Sequence, residues 1–208
     1  MSVNPDIVVI GASAGGLEAL QLLVAGLPHD FEATVFVVMH TPSWYRSELP
    51  AILNRSGRVP AIHPVHQQLI EPGHIYVAPP DYHLLMQDSR IQLWRGPKEN
   101  RHRPSINVLF RSAADAYGER VAGVVLSGSL DDGAAGLWWI KKHGGIGVVQ
   151  DPSDARFPDM PRAVLEHVEV DYVLPASEIG PLLADLTAGS ATTSPNLRSE
   201  RVDEGRPK

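Results

Sequence analysis

Short, unbroken apolar runs rich in β-branched residues recur along this chain, separated by segments whose apolar residues return every three or four positions. Asp6–Ile10, Thr34–Met39, Gly123–Leu126, Ile146–Gln150 and Asp171–Leu174 are of the first kind. They lack polar alternation, which marks strands covered on both faces of a parallel sheet. Gly16–Ala25 is of the second kind, with Leu17, Leu20, Leu23 and Val24 along one helical face. The same spacing predicts helices at Glu48–Asn54, Ile106–Ala116, Ala134–His143, Met160–Glu166 and Ile179–Leu186. Ser105 is placed to cap the third of these six helices, and Gly144-Gly145 to stop the fourth. The Pro- and Gly-rich middle holds short strands at His74–Ala78 and His83–Met86, the latter pairing with Ile91–Trp94 as a hairpin. Strands alternating with helices in this way imply a doubly wound three-layer α/β/α sandwich with a mostly parallel sheet.

The apolar pattern ends near Leu186. Residues 1–186 therefore read as one folded domain, and the polar residues 187–208 as a disordered tail. The first apolar run, Ile7–Ile10, is too short for a leader or a membrane span, so a cytoplasmic protein without membrane insertion is expected. A formal net charge of -6 argues against a nucleic-acid binder, which carries a basic face. The chain has no cysteine, which removes disulfides, thiolate metal sites and a cysteine nucleophile together.

In an open parallel sheet, reactive groups gather beyond the carboxyl ends of the strands. Ser13 follows the first strand, in Gly11-Ala12-Ser13-Ala14-Gly15, a G-x-S-x-G turn into a helix. That segment alone leaves a nucleophile and a phosphate-holding turn equally open. His40 ends the second strand, where a dinucleotide site would carry an acidic residue, and imidazole is suited to take a serine proton. A carboxylate to orient that imidazole is available at Asp131 or Asp132, between which spacing does not choose. The order Ser, His, Asp differs from that of ordinary α/β-hydrolases.

Six segments, in order, resemble the catalytic domain of CheB-type protein-glutamate methylesterases. They are Gly11–Gly16, His40, Ala78–His83 (APPDYH), Arg103–Phe110 (RPSINVLF), Asp132–Gly136 (DGAAG), and Gln150-Asp151-Pro152 with Met160-Pro161. The likeness runs from about Ile7 to Leu183. It implies Ser13 as nucleophile, His40 as base and Asp132 as the orienting carboxylate, with no cofactor and no metal. The implied reaction is hydrolysis of glutamate γ-methyl esters through an acyl-enzyme, with glutamine deamidation as a second activity in some members. The implied partner is a methylated chemoreceptor or receptor-like protein. The longer family members carry an N-terminal receiver domain. This chain opens at the first hydrolase strand, so a separate regulator is expected in its place.

Ala14, Met39 and Gly128-Ser129-Leu130 depart from the family's usual threonine, glutamine and Gly-Met-Gly. They leave a non-catalytic regulatory or adaptor module as the alternative function, and a nucleotide-binding α/β protein as a further one. His63 and His66 are three apart but sit in a loop-like segment without an acidic cluster, which disfavours a metal site. His83 is expected to be structural or to line the site. Trp138-Trp139 should bury at least one ring, and Arg101-His102-Arg103 is a basic loop able to meet an acidic substrate.

Overall fold

A computed structural model describes residues 3–41 and 47–189. Nine strands and six α-helices follow one another as β1 (Ile7–Ala12), α1 (Gly16–Ala25), β2 (Thr34–Met39), α2 (Leu49–Ser56), β3 (Ala61–Ile62), β4 (Ile75–Val77), β5 (His83–Gln87), β6 (Arg90–Trp94), α3 (Ile106–Tyr117), β7 (Val121–Val125), α4 (Ala134–Lys142), β8 (Ile146–Gln150), α5 (Asp159–His167), β9 (Tyr172–Leu174) and α6 (Ala176–Ala188). Seven strands form one sheet in the order β3-β4-β2-β1-β7-β8-β9. Every pairing in that sheet is parallel, and β5 and β6 make a separate antiparallel hairpin.

The all-apolar strands are explained by the two cores they separate. Val8, Ile10, Val35, Val37 and Val124 face α1, α2 and α6, with Leu20, Leu23, Leu53, Ile179 and Leu183 packed onto them. Ile7, Val9, Phe36, Val38 and Val125 face α3, α4, α5 and the hairpin, against Leu109, Phe110, Leu137, Met160 and Leu84. The expected three-layer α/β/α architecture is therefore the observed one. Chain order reverses at β1: β2 lies on one side of it and β7 on the other. The crevice at such a switch point is where open α/β sheets place their chemistry.

Four details differ from the pattern expected of the sequence. The two-residue edge strand β3 carries too little pattern to be legible, and a 3₁₀ turn at Gly118–Arg120 leads into β7. Helix α6 begins at Ala176 and continues through Ala188 to a left-handed Gly189 (φ 71), past the boundary expected at Leu186. The rest of the expected tail, from residue 190, lies outside the described residues. Ser105 occupies the N-cap position of α3 but makes no side-chain cap bond of its own; another residue fills that role, as described below.

Helices α1 and α6 meet backbone to backbone at Gly26 and Gly180. A Cβ on Gly180 would run into the Leu23 carbonyl oxygen, and one on Gly26 would lie 2.7 Å from Pro181 Cδ. Gly180→Ala should therefore destabilise the protein by about 1–3 kcal/mol, the usual cost of forcing volume into a packed contact. Urea unfolding measures this, and activity per folded molecule should not change because the contact is remote from the strand ends.

Candidate active site

Strand register brings Ser13 and His40 together. Ala12 pairs with Met39 across β1 and β2, so the next residue on each strand emerges at the same level. On the other side, the Ser13 amide donates to the Ser127 carbonyl at 3.0 Å, which ties the serine turn to the end of β7. The Ser127 hydroxyl donates to Ala14 O at 2.9 Å and accepts the Phe157 N–H at 2.9 Å. Gln150 accepts the Ser127 amide at 2.8 Å and passes a bond to Asp154, which receives the Ala176 amide. The serine turn is thus held by hydrogen bonds from three neighbouring loops. A Cβ at position 128 would lie 2.8 Å from Ser13 Cβ, so glycine there is what lets the β7 loop pass so close.

The Ser13 hydroxyl lies 3.2 Å from His40 Nδ1, and His40 Nε2 lies 2.9 Å from Asp132 Oδ2. Both bonds are made at once by the neutral tautomer that carries its proton on Nε2. That N–H donates to the carboxylate, and Nδ1 is left to accept from the serine. The nitrogen nearer the backbone therefore faces the hydroxyl. At the start of α1, Gly15 is left-handed (φ 67) and no side chain caps the helix. The Ala14 and Gly15 amides meet no acceptor among the described residues. Two free N–H groups beside a serine are suited to a developing oxyanion.

Asp132 is 2% exposed, and its carboxylate is satisfied from several directions. Oδ2 accepts the Ile106 amide at 2.8 Å besides His40, and Oδ1 accepts the Asn107 amide at 3.2 Å and the Ser105 hydroxyl at 3.1 Å. Asn100 Nδ2 adds a longer contact of 3.4 Å. The carboxylate caps α3 in trans, where the helix dipole favours negative charge. This corrects the capping role expected of Ser105, which instead donates to the residue that does the capping. Burial acts to raise the Asp132 carboxyl, but the His40 bond and charge and the two helix amides outweigh it and hold the group below its ordinary value. Asp131, the other candidate, is exposed and lines a groove of about 480 Å³ with Asn100, Arg111 and Trp138.

The basic loop around Arg101-His102-Arg103 covers the imidazole, a contact the sequence does not indicate. Glu99 and His102 exchange backbone bonds of 3.1 and 2.8 Å, and Asn100 and Arg101 between them have φ of 48° and 69°. This is a two-residue hairpin turn of the I′ kind. It lays the His102 ring flat on His40, with centroids 3.5 Å apart and planes 4° from parallel. Burial first, and then the charge of His40, push the His102 imidazolium down from its ordinary value. His102 therefore covers His40 with a ring whose protonation is disfavoured.

The motif residues of Ala78–His83 anchor that loop. Asp81 accepts Arg103 Nε at 2.9 Å and Arg95 Nε at 2.8 Å, and the Arg103 bond foremost lowers its carboxyl. His83, fully buried, bonds Pro97 O through Nε2 at 2.8 Å and accepts the Ser105 amide at Nδ1, 3.2 Å away. It thus has the structural role expected of it, fixing both ends of the covering loop.

Among the described residues no group of histidines and acids could hold a metal, and His63 bonds the Val77 carbonyl instead. No helix there is long and apolar enough to cross a membrane. Trp139 packs half-buried against the core and Trp138 is 42% exposed, so neither ring is fully inside, contrary to the expectation for at least one.

Residues 8–183 match the profile of the CheB methylesterase family. This chain belongs to that family. A relative from Leptospira interrogans is 38% identical over 185 residues, covering 88% of this chain and 96% of the relative. Relatives from Ralstonia nicotianae and Anaeromyxobacter dehalogenans, 35% and 38% identical, are named protein-glutamate methylesterase/protein-glutamine glutaminase. The alignments cover 92% and 88% of this chain but only 51% and 53% of those two proteins, so the chain spans about half their length. The crystal structure of the Thermotoga maritima CheB methylesterase catalytic domain superposes with a TM-score of 0.83 at 32% identity, over 88% of this chain and all of that domain. The chain is accordingly an enzyme of a carboxylic-ester-hydrolase family with that family's α/β fold. Asp81, His83 and Ser105, which hold the covering loop, all lie in the family-like segments.

Two outcomes follow from this geometry. Because the Asp132 carboxyl is lowered in the folded state, the stability it contributes is present above the ordinary value of 3.8 and lost as pH falls through the lower folded value. Asp132→Asn should cost about 1–3 kcal/mol at neutral pH, and urea unfolding should show that gap shrinking below the same ordinary value. His102→Ala should lower ester turnover by about tenfold or more through a misplaced imidazole, with His102→Phe, which keeps a flat face on His40, retaining more. Steady-state kinetics on a small activated ester measure both.

Proposed function

We propose that this enzyme hydrolyses glutamate γ-methyl esters on chemoreceptor-like proteins in the cytoplasm, with Ser13, His40 and Asp132 as its triad. The observation that carries the proposal is the unbroken hydrogen-bonded chain from the Ser13 hydroxyl through His40 to a buried, ionised Asp132. The names of the Ralstonia and Anaeromyxobacter relatives support the substrate.

Ser13 Oγ attacks the ester carbonyl as its proton passes to His40 Nδ1, and the Ala14 and Gly15 amides receive the oxyanion. Asp132 holds the imidazole in the tautomer that accepts this proton and stabilises the cation that forms. Collapse breaks the C–O bond to methoxide, which takes the proton from His40 and leaves as methanol. A water then gives a proton to His40 and adds its oxygen to the acyl carbon. The proton returns to Ser13, freeing the glutamate carboxylate. The same sequence on a glutamine amide would release ammonia, the second activity in the names of those relatives.

Methanol release from a methylated receptor cytoplasmic fragment tests this reading. Wild type should release methanol, and Ser13→Ala should lose about 10⁴-fold or more in turnover. Absence of release by folded wild-type protein would overturn it and favour an adaptor built on the same fold.

A further inference from the structure

Among the basic residues around the covering loop, three are neutralised by ion pairs. Arg95 and Arg103 both pair with Asp81, and Arg111 makes a two-pronged pair with Glu99 at 2.7 Å. Lys98 and Arg101 are different. Both are exposed, and among the described residues neither forms an ion pair. They flank Asn100, which reaches Asp132, and Arg101 directly precedes His102, which lies on His40. Two unmatched cations thus stand at the edge of the site in a protein of formal net charge -6.

The backbone at Arg101 carries a further signal. The second central position of an I′ turn favours glycine, because φ is positive there. Arg101 holds φ 69 with a full side chain. A residue kept in a disfavoured conformation beside a reactive site points to a role for its side chain.

We propose that Lys98 and Arg101 form a cationic arm that recognises carboxylates flanking the scissile ester, so that this enzyme prefers esters set in acidic peptide segments. The inference rests on the esterase reading above and adds a specificity determinant to it. Asn100 and the Glu99–His102 bonds fix the arm relative to the triad, so a flanking carboxylate on the substrate can be read while the ester sits at Ser13. The charges of Lys98 and Arg101 are also felt at the His102 ring, opposing its protonation, which places them within electrostatic reach of the reacting groups. Asp131, an exposed acid on the adjacent loop, is the residue best placed to compete for these cations. It lines the groove between α3 and α4 with Trp138 and Arg111, and forms no ion pair with either cation.

The test uses the full chain and two synthetic peptides. Each carries one glutamate γ-methyl ester, flanked by glutamates in one and by glutamines in the other. Wild type should show a kcat/KM for the acidic peptide about threefold to tenfold above that for its neutral twin, as expected for two solvent-exposed charge contacts. The preference should fade as salt rises towards about 1 M. It should disappear in Lys98→Gln/Arg101→Gln and survive in Arg101→Lys. Arg101→Gly, which suits the turn better, separates backbone from side chain: the preference should fall there as it does in Arg101→Gln. Equal kcat/KM for the two peptides in wild type, or an undiminished preference in the double variant or in Arg101→Gly, would overturn the inference while leaving the esterase intact. Methanol from neither peptide would remove the esterase reading, and this one with it.

Discussion

A buried carboxylate is tolerable only if its charge is met, and the site is organised around meeting that of Asp132. The amides of Ile106 and Asn107, the Ser105 hydroxyl and the His40 ring all donate to it. These donors belong to two separate parts of the chain: Ser105 with the first residues of α3, and the end of β2. One ionised group thereby caps a helix, sets the tautomer of an imidazole and fixes the loop that lies over that imidazole. Removing the charge would leave helix amides and a ring N–H facing an apolar interior without an acceptor. The requirement is structural and chemical at once. The ionised form needed to cap α3 is the same form needed to orient His40.

The sheet supplies the rest. Parallel strands in matched register bring Ser13 and His40 out side by side, and the reversal of chain order at β1 opens the crevice into which they project. Rigidity comes from beneath, where Ser127, Gln150 and Asp154 hold the serine turn through a connected set of hydrogen bonds. It comes also from the side, where Asp81 and His83 pin the covering loop at Arg95, Pro97, Arg103 and Ser105. Some of the local strain lies at the rim of the site. Leu130, beside the reactive groups, takes φ 68 where the family resemblance leads one to expect glycine, and Arg101 takes a similar conformation. Neither is natural for a residue with a Cβ.

Strands buried on both faces announce themselves as apolar runs, so the sheet and its helices are legible in the amino-acid pattern alone. His40 is legible for the same reason, since it directly ends such a run, and Ser13 because a G-x-S-x-G turn follows one. Asp132 is not distinguishable from Asp131 by spacing, because an Asp-Asp-Gly turn looks alike whichever carboxylate turns inward. Burial decides it: Asp132 is enclosed and Asp131 faces solvent. The stacking of His102 on His40 and the trans-capping of α3 are illegible in the chain, since both depend on tertiary contacts between residues far apart in sequence. The N-cap preference of serine is a sound local signal at Ser105, but a stronger acceptor from another loop displaces it. For His83 the only sequence clue is a polar residue at the head of a short strand, within a family-like segment.

The claim on which everything functional depends is that the Ser13 hydroxyl is activated by this arrangement. Labelling with a fluorophosphonate, followed by peptide mapping in a mass spectrometer, tests it without assuming any natural substrate. A single phosphonyl adduct on Ser13, formed by the native protein and absent after unfolding or in Asp132→Asn, is the predicted result. A native protein that takes up no label, or takes it up at a different residue, would contradict the account.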